Sequence, residues 1–141
     1  MPHIVVLYTG DLDTPQPGGV NADIGGLCRQ LADALLTVRD ETGAQVFPTG
    51  GVRVLAYPAA HFAVADGSVD AGFVYLNLRM GRGRSEAVKR RTGEALRASA
   101  AAHFKPLLAA RAVGITLQID EGPEVFDAKL GNLHALFNKA P

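Results

Sequence analysis

The feature that most constrains this chain is a strand–helix–strand rhythm that occurs twice. His3 to Thr9 (HIVVLYT) is short, apolar and β-branched, as a buried strand is. From Asn21 to about Thr42 the period lengthens. Ile24, Leu27, Leu31, Leu35 and Val38 recur at helical spacing and share one face. Asn21 is the expected N-cap and Gly43 the expected stop. Val52 to Tyr57 (VRVLAY) alternates as a second strand, closed by Pro58. Its Val52, Val54 and Ala56 point one way, and Arg53, Leu55 and Tyr57 the other. The rhythm then repeats. Val69 to Met80 is a long strand with Val74, Leu76, Leu78 and Met80 on an apolar face and Phe73, Tyr75, Asn77 and Arg79 on a mixed one. Ser85 caps a helix running from Glu86 to about Arg111, in which Pro106 predicts a kink or break. Val113 to Asp120 alternates as the last strand.

Each unit favours parallel pairing of its own strands through a right-handed crossover. The expected fold class is α+β: two consecutive βαβ units form a four-stranded sheet with two helices on one face, in a single domain spanning 1–141. Such a sheet leaves its other face uncovered, which predicts oligomerisation through that face. The apolar tail (Leu130, Leu133, Leu136, Phe137) is a candidate to dock on a neighbour. Two glycines, Gly25 and Gly26, stand where the first helix should begin. They cost roughly 1 kcal/mol each relative to Ala, so close packing or a later helix start is expected there.

The 141 residues include 48% hydrophobic and 20% charged residues, enough apolar matter for a packed core. Lys plus Arg and Asp plus Glu both number 14, so the net charge is zero. That balance argues against a nucleic-acid partner and against attraction to an anionic membrane. A single cysteine, Cys28, fits a reducing cytoplasm, and the start lacks the pattern of a signal peptide. Soluble cytoplasmic residence is the expectation.

Three places could carry chemistry. Pro2 is most often an uninformative second residue. Freed of Met1, however, it would present a secondary amine at the head of a buried strand. Nearby cations and an apolar setting lower such an amine from its ordinary value of about 8 toward neutrality, where a proton shuttle works best. Arg53 follows a glycine-rich turn; it is either a surface residue or a clamp for a planar carboxylate. Gly81 to Ser85 (GRGRS) joins a strand to a helix N-terminus and could seat an anion, although it is neither a phosphate-binding P-loop nor a dinucleotide motif. His3, His61, His103 and His134 have no metal-ligand spacing, so no metal site is expected.

Pro2, the paired βαβ units and the two arginines after glycine-rich turns together resemble the tautomerase superfamily. Within it, the strings FPTGGVRV, VADG, GRGRS, AHF and NLHALFN, in this order from Phe47 to Asn138, are similar to the 5-carboxymethyl-2-hydroxymuconate isomerase family. The resemblance implies a trimer, no cofactor, and proton transfer along a conjugated enol in aromatic-compound catabolism. It implies Pro2 as the base, with Arg53 and Arg84 binding the carboxylates of a dienol substrate. Familiar members carry Arg-x-Arg where this chain has Arg53–Val54–Leu55, so the carboxymethyl group is expected to add little to binding. Two other readings use the same residues. One is a non-catalytic carboxylate-binding protein with a blocked Pro2. The other takes GRGRS as a seat for a phosphate ligand.

Overall fold

The computed structural model describes residues 2–137. Four strands form one mixed sheet: β1 (His3–Thr9), β2 (Arg53–Ala59), β3 (Ala71–Met80) and β4 (Ala112–Glu121), in the spatial order β2-β1-β3-β4. β1 pairs parallel with β2, β3 pairs parallel with β4, and β1 meets β3 antiparallel. The expected pair of βαβ units is therefore present, joined back to back along β1 and β3.

The long helices α1 (Ile24–Thr37) and α2 (Glu86–Ala110) pack on the face formed by Ile4, Val6, Tyr8, Val74, Leu76, Leu78 and Met80. α1 contributes Leu27, Leu31 and Leu35, all fully buried, and α2 contributes Leu96, Phe104 and Leu107. Each such side chain contributes roughly 2 kcal/mol by leaving water. The opposite face of the sheet is bare, with Leu7, Leu55, Tyr57 and Phe73 exposed on it.

Several boundaries differ from the sequence expectation, each for a local reason. α1 starts at Ile24 with Asp23, rather than Asn21, as its N-cap. Asn21 instead accepts the Asp23 backbone N–H at 2.8 Å, while the Asp23 carboxylate accepts from Gly26 N–H at 3.0 Å. A Cβ on Gly26 would collide with that carboxylate, so close packing accounts for Gly26, while Gly25 has open space around it. α1 ends at Thr37, five residues early, because Val38 turns extended. The Asp40 carboxylate then collects the N–H groups of Thr42 and Ala44 in a tight turn, and Gly43 lies in that turn rather than at the helix end. β2 continues through Pro58 to Ala59 because it is an edge strand, where a missing donor leaves no ladder bond unmade. β3 begins at Ala71 instead of Val69. α2 stays helical through Pro106. The carbonyl that Pro106 cannot satisfy belongs to Ala102, on the exposed side, where water can take its place. Ser85 caps α2 as expected, accepting from Val88 N–H at 3.2 Å while donating to Glu41 at 2.8 Å.

The C-terminal ends of β1 and α2 are tied by one cation. The Arg111 side chain, only 8% exposed, donates to Asp11 at 2.7 Å, to Gln16 at 2.9 Å and to Asp70 at 3.2 Å. Asp70 is 98% exposed, so its share is small. Beside this clasp, the Tyr8 hydroxyl donates to Asp13 at 2.9 Å, and burial with the Asp13 charge pushes its pKa up to about 12. Arg111→Met should destabilise the fold by about 2 kcal/mol, the range for a charge-assisted bond lost from a half-buried carboxylate. Asp70→Asn should cost no more than about 0.5 kcal/mol. Urea denaturation of both variants checks the difference; equal midpoints would remove Arg111 from this role.

Candidate functional site

The start of β1 brings distant residues into one row. His3 is the register partner of Arg53 on β2 and of Arg79 on β3. Directly opposed residues point to the same side of a sheet, so all three belong to the face without helices. The turn Thr49–Gly51 leads into β2 and aims Arg53. Arg53 reaches back to the Gly51 carbonyl at 3.5 Å, too long for a strong bond, and has no carboxylate partner among the described residues. Its fork is available to another acceptor.

The tail after β4 folds over this row. Gly122 N–H donates to the Met80 carbonyl at 2.8 Å, and Glu124 lies 3.5 Å from the Arg79 guanidinium. A short helix, α3 (Leu133–Phe137), then rests on the glycine turn. A Cβ at Gly50 would stand 3.0 Å from the His134 Cα and 3.2 Å from the Leu133 carbonyl, both backbone. Only glycine lets the two segments approach this closely. Strand ends, turn and tail enclose a cavity of about 540 Å³ lined by His3, Arg53, Arg79, Gly81, Glu124 and Lys129, among others. Lys129 is paired with Asp127 at 2.6 Å.

The residues singled out in the sequence take different positions around it. Arg53 lines the cavity. Pro2 is buried and directly precedes His3 at the head of β1, but is not itself in the lining; Met1 lies outside the described residues. Arg84 is behind the wall: its Nη1 donates at 2.9 Å to the carbonyl of Gly81, which does line the cavity. Its guanidinium lies 4.8 Å from the centre of the buried Phe47 ring. Partial burial lowers the Arg84 pKa from its ordinary value, and the Glu121 charge works against that shift. The apolar tail residues Leu130, Leu133, Leu136 and Phe137 stay exposed while the backbone of α3 packs on its own chain's turn.

Sequence reading did not assign His3, Arg79, Glu124, Lys129 or His134 to the site. Alternation did put Arg79 on the mixed face of its strand. Its meeting with Arg53 required the strand order, which no local pattern encodes. The tail carries no period at all from Glu121 to Gly131. Chemically, the row offers planar, permanently charged donors to an anion, and Arg53 in particular has nothing ionic to release first. Among the described residues, no cluster of three or more His, Cys, Asp or Glu side chains is arranged to hold a metal ion, and no helix is long and apolar enough to cross a membrane.

Comparison with known proteins gives a consistent result. A solved structure of a 5-carboxymethyl-2-hydroxymuconate delta-isomerase is 60% identical, with a TM-score of 0.91, covering 100% of this chain and 95% of that one. A 5-carboxymethyl-2-hydroxymuconate isomerase from Deinococcus radiodurans R1 is 36% identical, with a TM-score of 0.81, covering 98% and 95%. The 5-carboxymethyl-2-hydroxymuconate Delta-isomerase of Escherichia coli is 29% identical over 137 residues, 97% of this chain and 99% of its own. The tautomerase fold is shared more widely, as in a fused 4-OT described as a symmetric trimer, at 21% identity and a TM-score of 0.56. The model of the 5-carboxymethyl-2-hydroxymuconate isomerase family matches residues 2–137, and the chain belongs to that family.

Proposed function

We propose that this chain is an isomerase that ketonises a 2-hydroxymuconate-like dienol carrying carboxylates, with Pro2 as its acid and base. Family membership supports the reaction class. The observation that carries the assignment of residues is the register of β1: His3, next to Pro2, lies opposite Arg53, and Arg53 opens onto the cavity without an ionic partner. A carboxylate held there sits beside the amine that must move the proton.

In this reading, the Pro2 nitrogen takes the proton of the 2-hydroxyl. The oxygen's electron pair forms the C=O bond, the first C=C pair moves between the two middle carbons, and the second C=C pair takes the proton from Pro2 at the far carbon, leaving a conjugated enone. No atom is gained or lost. Arg53 draws negative charge toward the forming 2-keto group and its neighbouring carboxylate, an electrostatic role. Arg84, held against Phe47 and Gly81 outside the lining, fixes the Gly81 end of the cavity at the start of α2, where the far carboxylate is seated. The bare sheet face, with Leu7 46%, Leu55 51% and Tyr57 50% exposed, supports association into a trimer with each cavity close to a subunit boundary.

Activity, mass and assembly measurements test this. An ultraviolet ketonisation assay should show turnover of 2-hydroxymuconate or its 5-carboxymethyl derivative. kcat/KM should rise with pH through about 7, because the nearby arginines favour the neutral amine and lower its pKa from about 8. Pro2→Ala, which leaves a freely rotating primary amine in place of the ring nitrogen, should shift that limb and lose at least about 100-fold in kcat. Intact-mass analysis showing Met1 fully retained would exclude the amine mechanism. Arg53→Ala should act mostly on kcat and Arg84→Ala mostly on KM, since the first meets developing charge and the second binds both states alike; no change in either parameter would remove the clamp. Sedimentation at micromolar concentration should give a trimer, and a stable monomer would contradict the proposed assembly.

A further inference from the structure

Leu55, opposite Val5 and two residues along β2 from Arg53, leaves that position without a cation, yet the cavity does not lack positive charge. Arg79 enters it from the opposite side of β1, two strands from Arg53. At a strand spacing of about 4.8 Å, the two arginine stems start about 10 Å apart, with His3 between them. Both project from the same face, so a ligand lying across the N-terminal end of β1 meets a guanidinium at each side.

Arg79 already holds a carboxylate, and the geometry of that contact is informative. Glu124 lies 3.5 Å from both Nε and an Nη of Arg79, whereas a good guanidinium–carboxylate bond is about 2.8 Å. The two side chains are 43% and 42% exposed. A long contact at that exposure contributes at most about 1 kcal/mol. The other acidic group in register with Arg79, Asp120 on β4, is taken by the Asn77 side chain at 2.8 Å. Lys129 is likewise committed, to Asp127. Arg79 is thus a cavity-lining cation with one weak, part-exposed counter-ion carried on the tail.

We propose that Arg79 is a further carboxylate-binding residue of this cavity, that it recognises the additional carboxymethyl carboxylate of a tricarboxylate substrate, and that Glu124 occupies its place until the substrate arrives. This replaces the expectation drawn from Leu55 alone. The identity of the substrate rests on the function proposed above; the preference for a third carboxylate does not. In a smaller ligand, Glu124 remains the partner of Arg79 and the third carboxylate's position stays unused. In the larger one, the incoming carboxylate displaces Glu124, which can swing out because the tail around it is open: Val125 and Phe126 are almost fully exposed.

Calorimetry with propane-1,2,3-tricarboxylate and glutarate reads this without any turnover. The wild-type protein should bind the tricarboxylate at least about tenfold more tightly. Arg79→Gln should reduce that ratio about tenfold, Arg79→Lys should retain most of it, and Arg53→Gln should weaken both ligands. Glu124→Gln should tighten the tricarboxylate about two- to fivefold, the range set by an exposed ion pair. The same ratios should appear in kcat/KM for the two muconates. No preference in the wild-type protein, an unchanged ratio in Arg79→Gln, or weaker tricarboxylate binding in Glu124→Gln would each overturn the proposal. If neither muconate turns over but the calorimetric ratio falls in Arg79→Gln, the proposed reaction fails and the Arg79 site stands. If both turn over and the ratio holds, the reverse is true.

Discussion

β1 is hydrogen-bonded along both edges, to β2 in one direction and to β3 in the other, while its inner side chains Ile4, Val6 and Tyr8 are sealed under the helices. An amino-terminal strand is ordinarily free to fray. Here it is the central bond of the sheet, because each βαβ unit meets the other through it. Fixing β1 fixes the direction in which residue 2 points and the two residues that flank residue 3. A mobile terminus could not hold residue 2 beside a row of cations, and an edge strand would offer only one neighbour.

The charges around the cavity follow from this placement. Arg53 is brought in by a turn whose Gly50 lies against α3, and it has no carboxylate partner among the described residues. Arg84 gives up part of its hydration and meets an aromatic face and a carbonyl instead of a carboxylate. Arg79 has only a distant, solvated counter-ion. The chain has no net charge overall, so the local charge is a matter of arrangement: Glu124 and Asp127 line the cavity too, while other acidic residues serve a helix cap, a turn and the Arg111 clasp.

Much of the fold was legible because its signals are local. The alternation of Val74, Leu76, Leu78 and Met80 and the helical spacing of Leu27, Leu31 and Leu35 gave the elements and their buried sides. Asp40 shows where locality failed: its competing hydrogen bonds to Thr42 and Ala44 ended a helix that apolar spacing alone extended. Pro58 misled in the other direction, because whether proline stops a strand depends on having a neighbour, and β2 is at the edge. At the site, Arg53 and the glycine loop were visible as residue types in suggestive settings. Arg79, Glu124 and the tail were not, since their meeting depends on strand order and on a segment without periodicity. Pairings separated by more than 40 residues, such as Arg79 with Glu124, leave no trace in a window of ten.

β1 carries its two kinds of work at opposite ends. The clasp of Arg111, Asp11 and Gln16 gathers beyond Thr9, while the cavity opens at His3, about 20 Å away along seven extended residues. Perturbations so far apart, with no shared partner, combine almost independently. A lineage with this architecture can therefore exchange residues around the cavity without drawing on the margin that keeps the molecule folded. Substrate range becomes free to drift while the scaffold is inherited unchanged.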